Sequence, residues 1–69
     1  MQLTAVLLPA QEGGFVAMNP ETGTTTQGET LDEALVNLQE ATELYLEEFS
    51  VQQYGKPLIT TIDVKPHAA

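Results

Sequence analysis

Three short stretches with strand character precede one long stretch with helical spacing. Along residues 2–8, Leu3, Ala5 and Leu7 fall on one side and Thr4, Val6 and Leu8 on the other, which is the period of a strand. Pro9 ends it, because proline cannot donate to a sheet ladder. The polar stretch 10–14 follows, and Gly13-Gly14 supplies the positive φ of a tight hairpin. A second strand is predicted over 15–18, stopped by Asn19-Pro20, and residues 21–23 are turn chemistry. β-Branched threonines favour a third strand over 24–27, closed by Gly28. The three read as an antiparallel meander.

The spacing changes at Thr30. Thr30 followed by Glu33 is a capping box, in which the threonine hydroxyl accepts from the Glu33 N–H and the glutamate reaches back. Leu31, Leu35, Leu38, Thr42, Tyr45 and Phe49 then recur three and four apart, with Ala34 and Ala41 widening the stripe. This predicts an amphipathic helix over 31–49 with that stripe buried, Leu35 and Leu38 at its heart. The opposite face carries Asp32, Glu33, Glu40, Glu43, Glu47 and Glu48. The first two suit the positive end of the helix dipole; Glu47 and Glu48 oppose it at the other end. Val36 and Leu46 fall off the stripe, either as isolated exposed residues or as a second apolar surface for self-association.

Residues 50–57 form a connection, and residues 58–64 are predicted as a fourth strand. There Leu58, Thr60, Ile62 and Val64 point one way and Ile59, Thr61 and Asp63 the other. Residues 66–69 are expected to fray. The expected architecture is α+β in the order βββαβ: one mostly antiparallel sheet with one long helix across it, a single domain over 1–69.

Size and charge narrow the functional classes. A chain of 69 residues buries only about 60% of its unfolded surface, so its core alone is marginal. No cysteine is available for a disulfide or thiolate metal site, and His67 is the one histidine. Self-association, most simply a homodimer, is the expected supplement. The net charge is −8, there is no arginine, and the two lysines are Lys56 and Lys65. Nucleic-acid binding, which needs lysine and arginine against phosphate, is not expected, nor is binding to anionic membranes. A basic protein is the natural complement. The apolar run 3–8 is too short to span a bilayer and no basic leader precedes it, so a cytoplasmic location is expected.

No catalytic set emerges. Glu40, Glu43 and Glu47 share a helix face, but a helical carboxylate metal site also wants a histidine three residues after a glutamate, and none exists. Ser50 is the one serine, and His67 lies in the terminal stretch. Gly13-Gly14 lacks the lysine and strand-to-helix context of a phosphate loop. Tyr45 lies on the apolar stripe and reads as core; Tyr54 lies in the connection. Neither enzymatic activity, a cofactor nor a metal is expected.

The stretch Gly13-Gly14-Phe15-Val16-Ala17, then Pro20-Glu21, then Thr26-Gln27-Gly28-Glu29-Thr30-Leu31-Asp32-Glu33-Ala34-Leu35-Val36-Asn37-Leu38-Gln39-Glu40-Ala41 resembles the HicB antitoxin family. In that family a Gly-Gly-aromatic hairpin leads through Pro-acid to a Gly-acid-Thr segment and an acidic helix. One departure is Thr22-Gly23-Thr24-Thr25, where the family has an apolar Leu-Pro-Gly-small run. The resemblance implies a partial ribonuclease-H-like fold. It also implies a role as neutralising partner of HicA, a small basic RNA-cleaving toxin with a double-stranded-RNA-binding-like fold. The ribbon-helix-helix or helix-turn-helix extension of many family members is not expected here. Nor is ribonuclease-H chemistry, which needs a key acid on the first strand, where residues 2–8 have none. Glu40, Glu43, Glu47 and Glu48 are the candidate partner-binding residues. The alternative is an orphan homo-oligomer of HicB type with no toxin partner.

Overall fold

The computed structural model describes residues 1–52 and 55–67; Tyr54 and the last two positions of the expected frayed end lie outside them. The elements are β1 (Val6–Pro9), β2 (Phe15–Asn19), β3 (Thr24–Gly28) and α1 (Leu31–Glu48). The strands form one antiparallel sheet in the order β1-β2-β3. Leu7 lies opposite Ala17, and Ala17 opposite Thr26. The first hairpin closes through Ala10 N–H to Gly14 O at 2.9 Å, with Gly13 and Gly14 at φ 103° and 77°, a region open to glycine at little steric cost.

The helix lies across β3 and β2. Thr30 is its N-cap and accepts from the Glu33 N–H at 3.1 Å. The Glu33 carboxylate reaches back to the Glu29 N–H at 3.4 Å, one residue before the cap. Two bonds tie the helix to β3: the Thr26 hydroxyl donates to Ala34 O at 3.1 Å, and the Asn37 amide donates to Gln27 O at 2.7 Å. The core is Ala17, Ala34 and Leu38, with Leu7 and Phe15 packed against it. Two alanines face each other there because the backbones approach closely. At Gly28 a Cβ would lie 2.8 Å from the Ala34 Cα and closer still to its N. Side chains alternate along the strands, so Val6, Leu8, Val16 and Met18 occupy the sheet face away from the helix.

Three expectations are corrected. The first strand starts at Val6 rather than at residue 2. The Thr4 N–H and C=O, which a ladder would need, instead meet the Glu21 carboxylate and the Asn19 amide. The buried helix stripe is narrower than its sequence spacing suggests. Ala34, Leu38 and Thr42 are buried, whereas Leu31, Leu35 and Phe49 are exposed: Leu31 and Phe49 lie within about 20° of Leu38 around the axis but at the two ends of the helix, and Leu35 lies about 60° to one side. Residues 58–64 form no strand; they are exposed throughout. β-Propensity expresses fit to a pleated, half-buried surface rather than an intrinsic backbone preference, and this stretch has no neighbouring strand.

Candidate interaction surface

A cluster of side-chain hydrogen bonds joins the N-terminal segment to the β2–β3 turn. Asn19, at 1% exposure, is its hub. Its Nδ2 donates to Thr4 O and to Glu21 Oε1, both at 2.7 Å. Its Oδ1 accepts from the Thr22 N–H at 2.8 Å and from the Thr22 hydroxyl at 2.6 Å. Asparagine at a turn bonds the backbone just ahead of it in this way. Glu21 completes the cluster, accepting from the Thr4 N–H at 2.9 Å and from the Thr4 hydroxyl at 2.8 Å. Burial pushes the Glu21 carboxyl up, but the Thr4 N–H and hydroxyl, its own backbone N–H and the Asn19 amide together outweigh this. Its pKa lies below the ordinary value. A carboxylate so engaged is held ionised and fixed, which makes it a structural clasp rather than a proton carrier.

This site also explains the Thr22-Gly23-Thr24-Thr25 departure. The Thr22 and Thr24 hydroxyls lie 2.6 Å apart, and the Thr24 N–H donates to the Thr22 hydroxyl at 3.2 Å. An apolar run in their place would leave Asn19 Oδ1 short of a donor. From sequence, Asn19 reads only as a strand stop. The available signal was an asparagine placed three residues ahead of a threonine across a Pro-acid turn.

The acidic residues are placed differently from one another. Glu40, Glu43, Glu47 and Glu48 are all exposed. At 100° per residue, Glu40, Glu43 and Glu47 fall within an arc of about 60° opposite the buried stripe, whereas Glu48 turns to another side. Val36, 52% exposed, lies within that acidic arc. Tyr45 is half-buried rather than core, and its ring stacks on that of Phe49 with centroids 4.9 Å apart. Leu46 is half-buried and lines a cleft of about 480 Å³ between the helix and Met1–Ala5, with Leu3, Leu35, Leu38, Thr42 and Glu43. The Thr42 hydroxyl is buried there and makes no hydrogen bond.

Among the described residues, no three acidic, histidine or cysteine side chains gather as a metal site, and no helix is long and apolar enough to cross a membrane. Residues 4–68 match a family of unknown function, DUF7387. The chain belongs to that family. No curated protein and no solved structure matches it. This DUF7387 domain presents the acidic arc of Glu40, Glu43 and Glu47 on its helix, with the cleft lined by Leu3, Leu35, Leu38 and Leu46 beside it.

Proposed function

We propose that the domain is an antitoxin-type interaction module of the cytoplasm that binds a small basic protein of the HicA type and occludes it, without chemistry of its own. The observation that carries this reading is the acidic arc of Glu40, Glu43 and Glu47, exposed on a body that has no basic residue from Met1 to Gly55. An acidic surface of one sign steers a basic partner and repels nucleic acid and anionic lipid alike. The meander followed by a capped helix accords with the partial ribonuclease-H-like arrangement that the HicB resemblance implies. A self-associating protein with no toxin partner is the second reading, favoured by the uncovered apolar residues 58–64.

The test is co-expression with a HicA-type toxin encoded beside the gene, followed by co-purification and growth rescue. The expected result is a stable complex and restored growth. Exchanging Glu40, Glu43 and Glu47 for glutamine should slow association about tenfold at low salt and flatten its salt dependence. An active toxin that is neither bound nor neutralised leaves the second reading.

A further inference from the structure

Residues 58–64 are the least covered apolar stretch in the molecule. Leu58 is 97% and Ile62 80% exposed, and Ile59 and Val64 are open to solvent as well. The molecule is correspondingly long, with a radius of gyration of 14.2 Å, against about 11 Å for a compact domain of this length. The arm leaves the body at Gly55–Pro57, which border a shallow cavity with Met1–Thr4 and Glu21. Contiguous exposed apolar side chains of this kind mark a surface that meets another surface.

The body offers a surface that fits. β1 is an edge of the sheet, paired with β2 on one side and unpaired on the other; such an edge is a template for another strand. Beside it lies the cleft lined by Leu3, Leu35, Leu38 and Leu46, in which the Thr42 hydroxyl has no partner. A strand laid along β1 turns alternate side chains toward that cleft. Leu58, Thr60, Ile62 and Val64 form a set with that period and no charge, whereas the other set contains Asp63. The charges agree as well. Residues 1–55 hold nine carboxylates and no basic side chain, while residues 56–67 hold Lys56, Lys65 and one carboxylate, Asp63.

We propose that residues 58–64 of one copy pair along the β1 edge of a second copy, and reciprocally, giving a strand-exchanged homodimer. Residues 58–64 are exposed throughout and do not pair with β1 of their own chain, so that edge is open and a second copy's arm is the matching occupant. Reciprocal exchange is an isologous, closed arrangement. Glu40 and Glu47 do not line the cleft and stay out of the contact, whereas Glu43 borders it. The inference stands whether or not the domain has a toxin partner, and it is tested on the purified chain alone.

Light scattering of the full chain at moderate salt should give twice the 7.5 kDa chain mass. The double variant Leu58→Asp with Ile62→Asp should halve that mass while keeping the helical circular dichroism of the body. Isotope-filtered nuclear Overhauser spectra of mixed labelled and unlabelled chain should show contacts between residues 58–64 and Val6–Pro9 across chains. Those spectra decide the matter even if the double variant does not fold. A 7.5 kDa species, a dimer unmoved by the double variant, or arm-to-β1 contacts confined within one chain would each overturn the proposal.

Discussion

The Asn19 side-chain amide donates to the backbone carbonyl of Thr4 at 2.7 Å, fastening the segment before β1 to the end of β2. The same amide reaches Glu21, and its oxygen takes two donors from Thr22. Each buried polar group left without a partner costs about 1–3 kcal/mol. Asn19→Ala strands several at once, so it should cost about 3 kcal/mol. Urea unfolding followed by circular dichroism measures this; a loss below 1 kcal/mol would show that the cluster adds nothing to the fold.

Glu21 links the same cluster to pH. Its pKa is lowered in the folded state, so at pH values between the folded and unfolded pKa the unfolded chain binds the additional proton. Stability therefore rises with pH across that window. The Glu21 contribution is complete above the ordinary carboxylate value of 4.5 and is lost as pH falls through the lowered folded value. Glu21→Gln should be less stable than the parent at neutral pH, with the gap closing in acid. A gap independent of pH would exclude the carboxylate charge as its source.

Leu38 and Leu35, three residues apart on one stripe, should respond differently to truncation. Leu38 is 5% exposed and Leu35 37%. Leu38→Ala should cost about 2–5 kcal/mol. Leu35→Ala removes a side chain already in contact with water and should cost under about 1.5 kcal/mol. Thermal melts of the two variants rank them directly, and equal losses would contradict this placement of the helix.

Gly28 sets how near the helix can lie. A Cβ there would press on the backbone of Ala34, which cannot rotate away as a side chain could. Gly28→Ala should cost about 1–3 kcal/mol as overpacking, although alanine elsewhere in a strand is tolerated. Chemical denaturation reads the loss, and a neutral outcome would mean that the helix shifts freely on β3.

Thr42 is the opposite case, a buried hydroxyl without a partner. Thr42→Val keeps the shape and removes the unsatisfied group, so it should stabilise the domain by about 1 kcal/mol. A destabilised variant would reveal a hydrogen bond to Thr42 in solution, and the proposed exchanged arm is the first place to look for its partner.

Much of the fold was legible along the chain because it rests on local chemistry. The Thr30 cap, the Gly13-Gly14 hairpin, the three strands in meander order and a helix starting at Leu31 each follow from residues close in sequence. Steric limits on φ, capping donors and side-chain periodicity act over a few residues. The acidic face was legible in part for the same reason: helical periodicity places Glu40, Glu43 and Glu47 together, but the expectation that Glu48 shares their face is corrected, since it lies about 80–140° round the helix from them.

What tertiary structure decided is which of these surfaces is covered, since burial and hydrogen-bond partners come from residues distant in sequence. Leu35 and Leu38 carry the same side chain on the same stripe, yet β2 and β3 lie under only one of them. Thr4 looks like a strand residue until Asn19 and Glu21 take its N–H and C=O. Residues 58–64 have the pattern of a strand, but a strand exists only where a neighbour supplies hydrogen bonds, and among the described residues of one chain none does.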